Sequence, residues 1–193
     1  MKGDGEWLEP SWFSRDPVSC AREVIGCHFR WGACEGIVVE AEAYAEHGDP
    51  ACHTAFRPSA RHFVGNHPAG TSYVYLNYGV HWLFNILTQG PEGAGFVLLR
   101  ALEPVRGLRL MKDRRSTSKP TGLCSGPGKL TQALGIHGGH HAKPFLAART
   151  RGIRAAPPAG RVVAARRIGI STAKSRPWRF VLADSPHVSS PAD

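Results

Sequence analysis

"TSYVYLNYGVHWLFNILTQ", residues 71–89, is the stretch whose reading decides the fold. β-Branched and aromatic residues flank Asn77, Tyr78 and Gly79, the pattern of two strands joined by a tight turn. It reads as a β-hairpin with Tyr78 and Gly79 near the tip. Residues two apart in a strand share a face, so Tyr73 and Tyr75 make one side of the hairpin aromatic. That side suits either hairpin core packing or the wall of a pocket for a flat ring. Tyr78 is different, because an aromatic at a hairpin tip is poorly placed for a core. It suits insertion between base steps, as in proteins that bend DNA, or capping of its own hairpin.

More strands lie on either side. "CHFRWGACEGIVVEAEAY", residues 27–44, reads as two strands turning at Gly32, and "GFVLLRALEPV", residues 95–105, as another. In "RVVAARRIGIS", residues 161–171, and "WRFVLAD", residues 178–184, two short strands are expected. Helices are expected after Ser14 or Asp16, with Pro17 in the first turn and Gly26 as the stop, and from Pro127 through Leu134. The basic stretch "RGLRLMKDRR", residues 106–115, resembles a helix broken by "STSKPTG". Residues 45–70 read as loop-rich, and the first 12 residues as a loose arm preceding a domain spanning 13–190. The whole is an α+β fold with a mostly antiparallel sheet.

The chain of 193 residues fits one domain. Its net charge is +9, its pI about 9.8, and its 18 arginines outnumber 6 lysines. Such a balance favours a polyanion partner, and arginine suits bidentate phosphate contact; an arginine-rich composition bias is the plainer explanation. Five cysteines at 20, 27, 34, 52 and 124, without a C-x-x-C, argue against a disulfide framework and a zinc ribbon. No stretch approaches the ~18 apolar residues of a membrane span, and "MKGDGEWLEP" has no apolar signal region. The expectation is a soluble intracellular protein with no membrane association, in the cytoplasm or nucleoid if bacterial.

Several residues carry candidate chemistry. Glu40, Glu42 and Tyr44 share one face of an otherwise apolar strand, with Val39, Ala41 and Ala43 on the other. Carboxylates beside a sugar can stabilise an oxocarbenium-like state or deprotonate water; a solvated face of an amphipathic strand is the alternative. Arg100 in "VLLRALEP" needs an acidic partner if half-buried, whether for chemistry or for structure. Lys129 sits at the start of the helix in "CSGPGKL", where anions are favoured, yet the spacing is not that of a P-loop. "HGGHH", residues 137–141, lacks a second cluster at metal-ligand spacing, so no metal is expected.

Four of these segments, "GIVVEAEAYAEHGDPACH", "GTSYVYLNYGVHWLFNI", "FVLLRALEP" and "LCSGPGKLTQALGI", resemble in order and spacing the alkyladenine (3-methyladenine) DNA glycosylases, over roughly residues 12 to 189. The resemblance implies a single compact domain with a curved sheet, flanking helices and a protruding hairpin that enters the minor groove. It implies a monofunctional glycosylase of base-excision repair, acting as a monomer on double-stranded DNA. Such an enzyme flips out damaged purines (3-methyladenine, 7-methylguanine, hypoxanthine and ethenoadenine) and hydrolyses the N-glycosidic bond. Glu42 would be the general base, with Arg100 and the backbone carbonyl of Ile168 holding the water. Tyr44, His53 and Tyr75 would stack on the base, Asn85 would discriminate against the exocyclic amine of guanine, and Tyr78 would fill the gap in the duplex. Arg61, Arg115, Lys129 and Arg167 are candidate phosphate contacts. No cofactor is implied, and no lysine lies in the matched pocket motifs to form the Schiff base of a lyase.

The family's T-x-R-N-x-x-M-F segment departs here to "SARHFVGNHPAG", residues 59–70, which keeps Arg61 but has His62 for asparagine. Asn77 also stands where an apolar residue is usual. A non-catalytic lesion- or nucleic-acid-binding module of the same fold is therefore the competing expectation, with a basic RNA-associated domain as a third.

Overall fold

A computed structural model describes residues 5–146 and 150–192. Its centre is an antiparallel sheet that does not close into a barrel. The strands, among the described residues, are β1 (His28–Trp31), β2 (Cys34–Ala45), β3 (Thr71–Asn77), β4 (His81–Gly90), β5 (Gly93–Arg106), β6 (Lys143–Pro144), β7 (Arg151–Arg154), β8 (Val162–Ala165) and β9 (Arg179–Leu182). Their order is β6-β3-β4-β5-β2-β1-β7, and β9 pairs with both β2 and β8. The expected α+β class, with a mostly antiparallel sheet, is what the chain adopts.

β2 organises the sheet. One edge pairs with β5 along its length, while the other pairs first with β1 and then with β9. Three register shifts interrupt the β2–β5 ladder: Val39 is the extra residue on β2, and Arg100 and, nearer the strand end, Val105 are the extra residues on β5. Bulges of this kind re-aim side chains and are frequent beside functional sites. Here the first two bring Arg100 alongside both Glu40 and Glu42.

The helices are α1 (Pro17–Glu23), α2 (His53–Phe56), α3 (Pro58–Asn66), α4 (Leu108–Arg115) and α5 (Pro127–Leu134). α1 starts as its sequence directs: Pro17 takes the first turn, where its missing N–H costs nothing, and the Asp16 carboxylate accepts the Ser19 N–H at 2.8 Å. The main core contains Phe13, Phe29, Phe84, Leu99, Leu102 and Phe145, all essentially inaccessible to solvent. A second cluster, built on Phe63, Tyr73, Leu87 and Phe96, lies beneath α2 and α3.

Three expectations need correction. Residues 45–70 are not simply loop: α2 and α3 occupy 53–66, with Pro58 opening α3 and Ala60, Phe63 and Val64 buried at helical spacing. The N-terminal arm is not loose where it is described. Leu8 donates its N–H to the Ile153 carbonyl at 2.8 Å, Trp7 bridges Arg154, and Phe13 is fully buried in a short 3-10 helix; residues 1–4 of the arm lie outside the described residues. Finally, the strand read in 161–171 stops at Ala165, and residues 166–170 leave the sheet as an irregular loop.

Candidate active site

Glu42 lies on β2 with no solvent exposure. Its Oε2 accepts the Tyr44 hydroxyl at 2.8 Å and Arg100 Nη1 at 3.2 Å, while its Oε1 accepts the Ile168 N–H at 2.8 Å. Three donors converging on a buried carboxyl match the acceptor-only character of a carboxylate. Burial opposes the charge on Arg100, but the carboxylates of Glu42 and Glu40 outweigh it, so its pKa rises above the ordinary arginine value. Burial, reinforced by Glu42, holds the Tyr44 phenol well above its ordinary range, so this hydroxyl remains a donor.

Tyr44, Arg100 and Ile168 also line a cleft of about 860 Å³. Glu42 stands one layer behind them. The same cleft is walled by His53, Tyr75 and Asn85, so the base-pocket candidates read from sequence share one cavity with the partners of Glu42. The His53 ring centroid is 4.4 Å from that of Tyr75, and His53 Nδ1 shares a 3.0 Å hydrogen bond with the Tyr73 hydroxyl. Asn85 is buried and donates Nδ2–H to the Tyr73 carbonyl at 3.2 Å. Arg57 lies 5.6 Å above the Tyr75 ring.

Burial, aided by the charge of Arg57, pushes the His53 pKa down to about 4. The imidazole is therefore neutral at physiological pH. The unfolded chain, with a histidine pKa near 6.5, takes up this proton first as pH falls. The folded state thus loses stability between about pH 6.5 and pH 4, by at most about 1.4 kcal/mol per pH unit, and His53 contributes no pH dependence above that window. Urea unfolding at pH 7.5 and pH 5 is expected to show the wild type losing more stability than His53→Gln. Equal losses in the two proteins would contradict the burial of a neutral His53.

The hairpin tip stands clear of the body. Tyr78 is 87% exposed with φ of +49°, a left-handed conformation uncommon outside glycine, and Leu76 and Val80 beside it are also exposed. Sequence reading singles out Tyr78 but not its apolar neighbours, which with it make the hairpin tip an exposed apolar group. Arg115 and Lys129 line the same cleft, the former bonded to Gln132, so a lysine does stand at a cleft whose motifs are expected to lack one. Arg61 is exposed away from the cleft lining and donates to the Thr54 carbonyl at 2.6 Å.

Arg167 is not available for phosphate. Its side chain is fully buried, bonded to both oxygens of Asp49 at 2.6 and 2.8 Å and to the Ala43 carbonyl at 2.9 Å. The guanidinium sits 4.7 Å from the centroid of the Tyr44 ring and 5.2 Å from that of Trp178. A basic stretch looks solvent-facing by composition, and only the fold reveals that this arginine turns inward. It backs Tyr44 and ties down the loop that brings Ile168 to Glu42. The Ile168 atom in contact with Glu42 is its N–H rather than its carbonyl.

The imidazoles of the "HGGHH" run each accept a backbone N–H, His137 from Gly139, His140 from His137 and His141 from Val74. Among the described residues no group of three or more His, Cys, Asp or Glu is placed to hold a metal. The five cysteines are free and buried. No described helix is long and apolar enough to cross a membrane.

Comparison with known proteins agrees with this geometry. The profile of the family described as methylpurine-DNA glycosylase matches residues 11–186. A protein of Rhodopseudomonas palustris named "Putative 3-methyladenine DNA glycosylase" is 43% identical over 187 residues, covering 97% of this chain and 90% of its own length. One of the same name from Agrobacterium fabrum is 46% identical over 184 residues, covering 93% and 90%. An aromatic cleft beside a buried glutamate, a protruding hairpin and a match over nearly the whole length lead to one conclusion: this chain belongs to the methylpurine-DNA glycosylase family, DNA repair enzymes that hydrolyse N-glycosyl bonds at sites of alkylation damage.

Proposed function

We propose that this chain removes damaged purines of the 3-methyladenine, 7-methylguanine, hypoxanthine and ethenoadenine class from duplex DNA, by hydrolysis with a Glu42-activated water. The observation that carries the reading is the convergence of Arg100, Tyr44 and the Ile168 N–H on Glu42 directly behind an aromatic cleft. A base inside a duplex stack is out of reach, so the target nucleotide is flipped into the cleft. Tyr78, with Leu76 and Val80, takes the vacated space and offsets part of the unstacking cost. Tyr44, Tyr75 and His53 stack on the base. Their electron-rich faces favour a purine made cationic by ring alkylation, and a neutral His53 adds no repulsion. A cationic base is a good leaving group, so one carboxylate that takes a proton from water supplies most of the chemistry. Arg100 and the Ile168 carbonyl hold that water. Arg115 and Lys129 meet the phosphates, and Asn85, on the cleft wall, discriminates against the exocyclic amine of guanine. The groups named all come from one chain, so a monomer suffices.

The test uses duplexes with a single 7-methylguanine, hypoxanthine or ethenoadenine, incubated with excess protein and then with or without hot alkali. Strand scission is expected only after alkali, the mark of base release without lyase action. Binding without release at any enzyme excess would turn the reading toward a lesion-binding module, and preference for RNA over duplex DNA in competition would turn it toward an RNA-associated domain.

A further inference from the structure

Glu40 lies one strand turn from Glu42, is fully buried, and has no part in the chemistry above. It is nevertheless among the most heavily bonded side chains of the site. Its Oε1 accepts Arg100 Nε at 2.9 Å, Ser189 Oγ at 2.8 Å and Arg179 Nη1 at 3.3 Å, and its Oε2 accepts the Ser189 N–H at 2.6 Å. Arg179, equally buried, spends its other N–H groups on the carbonyls of Arg166, Ser190 and Pro191 at 2.8, 3.0 and 2.9 Å. Ser189 Oγ lies 3.5 Å from Arg100 Nη2 as well. The C-terminal segment 189–191 is thereby fastened to the back of the active site through one carboxylate, that of Glu40, and two guanidiniums.

We propose that Glu40, held by Ser189, is a positioning residue that keeps Arg100 from closing onto Glu42; this rests on the hydrolytic reading above. An arginine facing a lone carboxylate prefers two parallel hydrogen bonds. Here Glu40 holds Nε, and only Nη1 reaches Glu42, at 3.2 Å. Because Arg100 gives Glu42 one hydrogen bond and not two, the carboxylate, which also accepts from Tyr44 and Ile168, keeps acceptor capacity for the proton of a water, and Arg100 keeps a donor for that water's oxygen. Loss of the Glu40 charge or of its Ser189 clamp lets the guanidinium swing onto Glu42 and occupy both. The C-terminal segment, far from the reacting bond in sequence, so sets the rate of the chemical step and not the affinity for lesion DNA.

Single-turnover excision of 7-methylguanine at saturating enzyme, with lesion-duplex affinity and thermal unfolding measured alongside, tests this. Glu40→Gln is expected to slow the chemical step about 100-fold, the scale of an ångström misplacement at a reacting centre. Ser189→Ala is expected to slow it about tenfold, the worth of one charge-assisted hydrogen bond, and Ser189→Thr, which keeps the hydroxyl, to restore most of the rate. Affinity should stay within about threefold, less than 1 kcal/mol, and the double variant should be no slower than Glu40→Gln alone, as for two groups in one network. Wild-type rates in Ser189→Ala, or losses that merely track the unfolded fraction in both Ser189 variants, would overturn the proposal. The Ser189 pair decides the matter even if Glu40→Gln does not fold. A wild-type chain that releases no base under these conditions overturns the hydrolytic reading instead, and is read before any variant.

Discussion

Glu42→Gln is expected to abolish base release while the protein still binds a lesion-containing duplex. The substitution is nearly isosteric, and the amide oxygen can still accept the Ile168 N–H that Glu42 Oε1 now accepts at 2.8 Å. What disappears is the charge and one acceptor atom, the one facing the Tyr44 hydroxyl and Arg100 Nη1. An amide cannot take a proton from water, and a general base is worth on the order of 10²–10⁴ in rate. In the proposed reaction the carboxylate also faces the positive charge that develops on the sugar, so removing it costs further through lost electrostatic stabilisation. The fold should tolerate the change because Arg100 keeps Glu40 as a partner at 2.9 Å. Binding should persist because the cleft walls, the Tyr78 wedge and the basic rim are untouched. Single-turnover excision together with fluorescence anisotropy on the same duplex separates the two effects. Excision at the wild-type rate would remove Glu42 from the role of base, and lost binding with a folded protein would place it among the recognition groups.

Much of this site was legible in the sequence because its strands obey a period of two. Glu40, Glu42 and Tyr44 were placed on one face by spacing, and the structure has both glutamates on Arg100 and Tyr44 on Glu42. The hairpin was equally plain, since Tyr78 and Gly79 fall where β3 gives way to β4. The bulges at Val39 and Arg100 between β2 and β5 carry no local sequence signature, so the sequence gives the shared arginine an acidic partner without its geometry. The helices within the loop-rich segment 45–70 escape a sequence reading because four histidines, glycines and prolines mask a short helical pattern in which Pro58 is a starter, not a breaker. Arg167 was misread for a related reason. In "VAARRIG" two arginines stand side by side, and nothing local distinguishes Arg166, which is exposed, from Arg167, which is buried. The difference is made by Asp49, 118 residues earlier in the chain. Long-range ion pairs and chain ends such as Ser189 are invisible to periodicity, and they are what hold the loop and the tail against the catalytic strand.

The Asp49–Arg167 pair should give the largest stability effect of any single substitution at the site. Both side chains are wholly inaccessible to solvent and joined by two hydrogen bonds of 2.6 and 2.8 Å. Burial works against the arginine's charge, and the facing Asp49 more than compensates, raising the Arg167 pKa. Asp49→Ala removes the compensation and leaves the burial. Breaking one side of a buried ion pair typically costs about 3–5 kcal/mol, which for a chain of this size lowers the unfolding midpoint by roughly 10 °C. Asp49 also accepts the N–H groups of Ala45 and Ala51, so the turn after β2 loses its anchor as well. A midpoint within about 1 °C of wild type would mean that the pair is exposed or dispensable. The double replacement Asp49→Leu with Arg167→Met distinguishes stability from function, because apolar residues of similar volume often match or exceed a buried ion pair. The double variant is expected to regain much of the lost stability but not the excision rate. Its methionine gives Tyr44 no cationic support and makes no bond to the Ala43 carbonyl, so the loop no longer fixes the Ile168 N–H on Glu42. Recovery of both would reduce the pair to a packing element. Recovery of stability alone would mean that this buried charge is retained for the placement of one backbone N–H, at a cost in stability that a hydrophobic core would not carry.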